Sequence, residues 1–191
     1  MTELARFRLE PLWEDGEFIL SRAVRDGDRS PILVETPALA QPAPESLQRL
    51  EHAYGLRSDL DPAWAAQPLE LVWNHGRPML LLTDPGGEPL ARLVGQPWEV
   101  RPFLRVALGL AVALGRLHAQ GLIHKDIKPA HILVNTATGQ VWLTGFGIAS
   151  RLPRERQGFC CKVSLSYAMR YFLCLRVLLR RWGSGLQGQS L

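Results

Sequence analysis

The stretch that most constrains the fold is residues 121–147, which read GLIHKDIKPAHILVNTATGQVWLTGFG. Two short apolar runs, at 132–134 and 141–143, are separated by a polar segment that is typical of a tight turn. We therefore predict a β-hairpin across these runs. A charged loop comes before the hairpin, and the triplet GFG at 145–147 follows it.

The order and spacing of loop, hairpin and triplet resemble the catalytic-loop region of the serine/threonine protein kinases. HKD at 124–126 stands where those enzymes carry His-Arg-Asp, and GFG stands where they carry Asp-Phe-Gly. The resemblance covers about residues 7–157. It implies an α+β fold of the protein-kinase type, with a β-rich N-lobe and an incomplete helical C-lobe.

The pattern HKDIKPA-x-ILV followed by LTGFGIASRLPRE is also similar to the kinase-like N-terminal domains of very large bacterial signalling proteins. In those proteins an ATPase module and a sensor histidine kinase follow, and glycine is regular at the position of Gly145. A complete kinase domain is substantially longer than 191 residues. The resemblance therefore implies a truncated and degenerate domain.

Patterning along the chain fits this expectation. Period-2 runs with tight turns predict three strands within residues 7–36, with turns at 13–16 and 26–28. Further elements are a helix at 45–56, a hairpin at 69–82, a hinge at 83–87 and a long helix from Pro102 to about residue 120. We predict an N-lobe over 1–82, the hinge and the start of the C-lobe over 83–157, and a basic tail over 158–191.

The resemblance implies specific site residues. Asp126 would accept the proton of a substrate hydroxyl, and Lys128 would stabilise the transferring phosphoryl group. ATP would contact one glycine of the phosphate-covering turn and the backbone of the hinge; these positions are Gly16, Leu82, Thr83 and Asp84. For Gly16, an ordinary hairpin turn is an equal alternative. ATP and Mg²⁺ are the implied cofactors, and we expect weak binding of both.

Weak binding is expected because the chain departs from the family at four positions. Glu35 replaces the strand lysine that holds the α- and β-phosphates, and Ala53 replaces its glutamate partner. An arginine would have to substitute for the lysine, since no lysine precedes His124. His131 and Gly145 stand at the two metal-ligand positions, and Mg²⁺ prefers oxygen ligands. We assign no metal ligand.

Composition argues against several other classes of function. Residues 151–191 carry eight basic side chains and one acidic one, whereas residues 1–150 carry 14 basic and 17 acidic ones. The basicity therefore belongs to the tail, and we expect no nucleic-acid partner. The charged N-terminus is unlike a secretory signal, and the three cysteines lack metal-site spacing, which favours a reducing cytoplasm. No apolar run reaches the roughly 20 residues of a membrane helix.

The tail allows two interpretations. Its sequence matches no kinase segment, which favours an out-of-frame or dispensable, poorly ordered appendage. A basic amphipathic helix at 167–179 that contacts a membrane surface, a partner or the 103–120 helix is the alternative.

For the whole chain, three functions stay open. The first is a weak or inactive serine/threonine kinase with a protein substrate. The second is a pseudokinase that serves signal transduction as a binding or regulatory module. The third is a non-functional remnant. Whether the chain is an enzyme is therefore left open at this stage.

Overall fold

The computed structural model describes residues 7–25, 31–95 and 97–152, without the side chains of Phe7 and Arg25. Its first half is an antiparallel sheet with strand order β1-β2-β3-β5-β4. The strands are β1 (Phe7–Glu14), β2 (Phe18–Arg25), β3 (Ile32–Pro37), β4 (Pro68–Asn74) and β5 (Arg77–Thr83). The predicted strands and the hairpin at 69–82 are present. The predicted turn at 26–28 and the tail at 158–191 lie outside the described residues.

Alternation along the strands gives this sheet two apolar faces. Leu20, Leu33 and Leu80 point inward into the main core, whereas Ala23, Val34 and Met79 form a small cluster on the other face. Successive side chains of a strand point to opposite sides, so the period-2 pattern in the sequence places each set correctly. Glu35 shares its face with Leu33, which puts a carboxylate among inward-pointing apolar residues.

The helix α1 (Pro44–Gly55) packs beside β4 and β5. The spacing of Leu47, Leu50 and Tyr54 in the sequence predicts an apolar stripe on this helix, and the structure contradicts that prediction in part. The buried positions are Ser46, Leu50 and Ala53, and Tyr54 is only partly buried. The inward face is therefore rotated toward Ser46 and Ala53 relative to the predicted stripe.

The second half contains one long helix, with short strands and loops around it. Its elements are β6 (Glu88–Pro89), α2 (Leu90–Leu93), α3 (Val100–Ala119), β7 (Leu122–Ile123), a 3-10 turn (Pro129–His131), β8 (Ile132–Asn135), β9 (Gln140–Leu143) and β10 (Ser150–Arg151). The predicted hairpin is β8–β9, and β6 pairs with its β8 edge. β10 pairs with β7. The α+β class predicted from the sequence is confirmed.

The helix α3 begins two residues earlier than predicted. Pro102 is its third residue and not its first. Proline is tolerated there because the first four N–H groups of a helix lack an intrahelical acceptor. The helix packs on β9 through a buried row whose members are Val106, Leu110, Ala113, Leu114 and Leu117.

The two glycines inside α3 differ in their surroundings. A Cβ atom on Gly109 would lie 2.1 Å from the backbone oxygen of Gly139, whereas a Cβ on Gly115 would meet no described residue within 4 Å. Gly109 therefore allows the β8–β9 turn to approach the helix backbone, and no described residue packs against the Gly115 position.

We expect opposite effects from substituting these glycines by alanine. Gly115→Ala should stabilise the fold by about 0.4–1 kcal/mol, because alanine lowers the entropy of the unfolded chain. Gly109→Ala should destabilise it by about 1–3 kcal/mol, because the turn must move away. Urea unfolding of both variants measures the difference, and equal effects would contradict the close approach.

Candidate functional site

The loop between β7 and β8 is held from within by His124, which is fully buried. Its Nε2–H donates to the Thr144 carbonyl at 2.7 Å, and its Nδ1 accepts the N–H of Asp126 at 3.3 Å. Burial lowers the pKa of His124 to about 4, so the ring is neutral at pH 7. The ring thus ties the charged loop to the segment that carries Gly145.

The next residue, Lys125, has a φ of 68°, in the left-handed region that non-glycine residues seldom occupy. This turn of the backbone exposes the Lys125 side chain and leaves the side chain of Asp126 in the cleft between the two halves. Strained backbone of this kind is concentrated at functional sites in proteins.

The two predicted catalytic side chains lie next to each other. Asp126 Oδ2 is 3.2 Å from Lys128 Nζ. Lys128 is also paired with Asp15, in the turn between β1 and β2, at 2.8 Å. Burial lowers the pKa of Lys128, but the hydrogen bond to Asp15 and the charge of Asp126 outweigh it and raise the pKa overall. Lys128 is therefore charged and engaged by two carboxylates.

His131 and Gly145, at the family's metal-ligand positions, are in direct contact. A Cβ atom on Gly145 would lie 2.5 Å from the Cγ and Nδ1 atoms of the His131 ring. Gly145 also has a φ of 74°. The imidazole ring therefore occupies the space that a side chain at position 145 would need.

The His131 ring is fixed in this place. Its Nδ1–H donates to the backbone carbonyl of Asp126 at 2.9 Å, and burial lowers the pKa of its side chain. Trp13 packs on the ring with centroids 5.6 Å apart, and His124 lies on another side at 6.0 Å. Phe146 extends this aromatic cluster through His124 to Trp64.

These residues do not fit Mg²⁺. A neutral imidazole and a glycine replace two oxygen ligands, and Mg²⁺ demands octahedral oxygen coordination. Within 7–25, 31–95 and 97–152, no group of three or more His, Cys, Asp or Glu residues is arranged to hold a metal ion.

Glu35 lies at the back of the same cleft, only 8% exposed. Among the described residues its carboxylate has no hydrogen-bond partner. Burial, reinforced by the charges of Asp15 and Glu17, raises its pKa to about 7. Ala53 lines the same cavity, so the position predicted for the missing glutamate does face the position of the missing lysine.

This cavity is open to solvent: its non-atom space is about 380 Å³ with the solvent at its mouth included, and about 30 Å³ of it can be occupied by the centre of a water molecule. Among the described residues, four carboxylates line it, from Asp15, Glu17, Glu35 and Asp126. The cations among its described lining residues are Lys128 and Arg49, and Arg49 is paired with Glu17 at 2.7 Å. The surroundings do not fit the phosphates of ATP, since like charges close together repel strongly where water is scarce.

The hinge positions carry their own contacts. The Thr83 N–H donates to the Gln67 carbonyl at 2.9 Å, and the Asp84 carboxylate pairs with Arg22 of β2. Arg22 also donates to the carbonyl of Gly87 at 2.8 Å. Leu82 is buried in the core. Arg22 therefore fastens the sheet to the hinge at the predicted adenine position.

Gly16 has a φ of 85° at the tip of the β1–β2 turn, with open space around it. Its neighbours Asp15 and Glu17 line the cavity, and Gly16 does not. We call residues 15–17 the acidic turn. Sequence reasoning missed Asp15, Glu17, Arg22 and Arg49. The only available signal was that an arginine would have to replace the missing lysine.

Comparison with known proteins gives partial matches. No protein-family model matches the chain. It is 45% identical over 81 residues to serine/threonine-protein kinase PknA of Mycobacterium tuberculosis, which is 40% of this chain and 18% of that protein. It is 41% identical over 58 residues to a MAP kinase kinase of Schizosaccharomyces pombe, or 30% of this chain and 16% of that protein.

A third match is ribosomal protein S6 kinase alpha-6 of Homo sapiens, 31% identical over 93 residues, or 46% of this chain and 12% of that protein. The chain thus spans less than a fifth of the length of these relatives. In the described residues, no helix is long and apolar enough to cross a membrane. The sheet, the loop–hairpin arrangement and these matches together show that the chain carries a partial serine/threonine-kinase-like domain.

Proposed function

We propose that this kinase-like domain serves signal transduction as a pseudokinase, a binding or regulatory module that does not depend on Mg²⁺ and ATP. The observation that carries the proposal is the contact of His131 with Gly145. The imidazole fills the space that a ligand side chain at position 145 would need. The metal position is thus filled by packed side chains, in addition to lacking ligands.

Two further features support this proposal. Glu35 and Ala53 stand where kinases carry a lysine–glutamate ion pair, so a single buried carboxylate remains there. The carboxylates of the acidic turn form ion pairs with Lys128 and Arg49, the two cations that line the cavity among the described residues. The ion pair between Arg22 and Asp84 connects the first sheet to the hinge. The contacts in the cleft therefore hold the domain in one conformation, which a protein partner can recognise.

Residual phosphoryl transfer to a Ser or Thr hydroxyl of a protein is the second candidate. It is favoured by the retained pair of Asp126 and Lys128, 3.2 Å apart. Under this alternative, Asp126 Oδ2 would take the hydroxyl proton, and a general base of this kind contributes about 10²–10⁴-fold to a rate.

A transfer assay separates the two candidates. We expect the full 191-residue chain to label a generic Ser/Thr protein substrate no faster than its Asp126→Asn variant does. Lys125→Gln serves as a control, because it removes a charge from the same loop on an exposed side chain. Labelling that is at least about tenfold above the Asp126→Asn level would establish the second candidate and contradict the pseudokinase proposal.

A further inference from the structure

We propose that the acidic turn is a built-in anion: the carboxylates of Asp15 and Glu17 occupy a cationic site formed by Lys128 and Arg49, and their withdrawal opens that site to a phosphate-bearing ligand. The inference rests on the proposed function, because it treats the cleft as a site without a bound metal. It adds a ligand class to that function and a segment that controls access.

The two carboxylate oxygens of Asp15 make different contacts. Oδ1 accepts the backbone N–H groups of Glu17 at 3.0 Å and Phe18 at 2.9 Å, which fixes the turn. Oδ2 points to Lys128 Nζ at 2.8 Å. Burial raises the pKa of Asp15, but these hydrogen bonds outweigh it and lower the pKa overall. The carboxylate is therefore an anion presented in a fixed direction.

Glu17 makes the matching contact on the other side of the turn, to Arg49 of α1 at 2.7 Å. Lys128 belongs to the loop after β7, so one three-residue turn contacts cations from two separate parts of the fold. Both cations line the cavity together with both carboxylates. A carboxylate and a phosphate offer the same kind of charged acceptor oxygen to such donors.

Trp13, immediately before the turn in β1, adds a third contact across the cleft. Its ring packs against His131, and Lys128 Nζ lies 5.5 Å from its centroid. Lys128 is therefore covered by an aromatic face as well as by the Asp15 carboxylate. The turn and Trp13 therefore both cover the ammonium group of Lys128.

The two ion pairs of the acidic turn can be broken reversibly on physical grounds. The Lys128 and Asp15 side chains are 33% and 23% exposed, and the Arg49 and Glu17 side chains are 40% and 37% exposed. Ion pairs with this much solvent contact are weak and are screened by salt. A polyanion that contacts both cations at once can therefore compete with the turn.

Tripolyphosphate is the probe, titrated by calorimetry at low salt with EDTA at pH 6, below the pKa of about 7 that Glu35 has in the unmodified chain. We expect the Asp15→Asn/Glu17→Gln variant to bind the probe at least about tenfold more tightly than the unmodified chain. The matched control is Glu10→Gln/Glu14→Gln, which removes two exposed carboxylates from the same strand outside the cavity.

Adding Lys128→Ala to the Asp15→Asn/Glu17→Gln variant should remove this gain, because the ammonium is one of the two proposed anion contacts. Equal affinities for the unmodified chain, the variant and the control would overturn the inference. So would a gain that persists after Lys128→Ala. Phosphoryl transfer is a separate readout, so a failure here leaves the proposed function standing, and the reverse also holds.

A second measurement uses the unmodified chain and does not depend on folding of the variants. Excess tripolyphosphate should speed amide hydrogen exchange at Glu17 and Phe18, whose N–H groups are bonded to Asp15. Ala137 and Thr138 are the internal control, because their N–H groups are bonded in the same way to Asn135 in a distant turn. Unchanged exchange at all four amides would also overturn the inference.

Discussion

Replacing Gly145 with aspartate, the residue that kinases carry there, is expected to destabilise the fold by about 2–5 kcal/mol instead of restoring a metal ligand. The new Cβ atom would lie 2.5 Å from the buried His131 ring. Overpacking of this kind costs about 1–3 kcal/mol. The left-handed backbone at φ 74° adds about 1–2 kcal/mol for a residue with a side chain. Urea unfolding measures the sum.

Two controls separate the clash from the backbone strain. Gly86 has a similar φ of 82°, but a Cβ atom there meets nothing within 4 Å. Gly86→Ala should therefore show the backbone cost alone, and Gly145→Ala should cost more. Combining Gly145→Ala with His131→Ala should give a total below the sum of the single effects, since the ring that clashes is gone. Strict additivity would show that His131 does not fill this space.

Glu35 is expected to make stability fall as the pH rises. Its pKa is about 7 in the folded protein against 4.5 unfolded. Because the pKa is raised, the contribution of Glu35 to the free energy of unfolding is complete below pH 4.5. This contribution is lost as the pH rises through about 7. Between pH 5 and pH 8 the loss amounts to about 2–3 kcal/mol. Glu35→Gln should lack this loss.

The measurement is the difference in unfolding free energy between Glu35→Gln and the unmodified chain at each pH. Taking the difference cancels the other titrating groups of the cleft, such as His131 and Asp15. Glu70→Gln, at an exposed carboxylate on β4, should give a flat difference across the same range. A flat profile for Glu35→Gln as well would show that Glu35 is solvated and not enclosed by the cavity.

Local elements were predictable because local patterns determine them. Period-2 alternation indicated the strands of the first sheet, and two apolar runs around a polar turn indicated β8–β9. Helix boundaries were less accurate. Pro102 marked the start of α3 as a first-turn residue, but proline suits several positions of a first turn, so the start was misplaced by two residues.

At the site, the sequence indicated which residues of the family pattern are missing, but not which contacts take their place. Glu35, Ala53, His131 and Gly145 could be recognised as departures from the family pattern. The compensating contacts join residues that are far apart in the chain. Asp15 and Lys128, for example, are 113 positions apart. No local pattern reports such a contact, so the acidic turn emerged only from the structure.

Several expectations stay predictions. The division of the chain at residues 82 and 157, the likeness to large bacterial signalling proteins and the cytoplasmic location are untested. The tail beyond residue 157, with its alternative of a basic helix at 167–179, lies outside the described residues. The exposed apolar side chains of Leu104, Leu108 and Val112 on α3 are one surface that such a helix could cover.

We propose that side chains of the chain itself fill the metal and phosphate positions of this kinase-like cleft. Calorimetric titration of ATP into the 191-residue chain, first with Mg²⁺ and then with EDTA, tests it most directly. We expect weak binding that depends only loosely on Mg²⁺, because neither His131 nor Gly145 supplies an oxygen ligand. Tight binding that disappears with EDTA would contradict the claim.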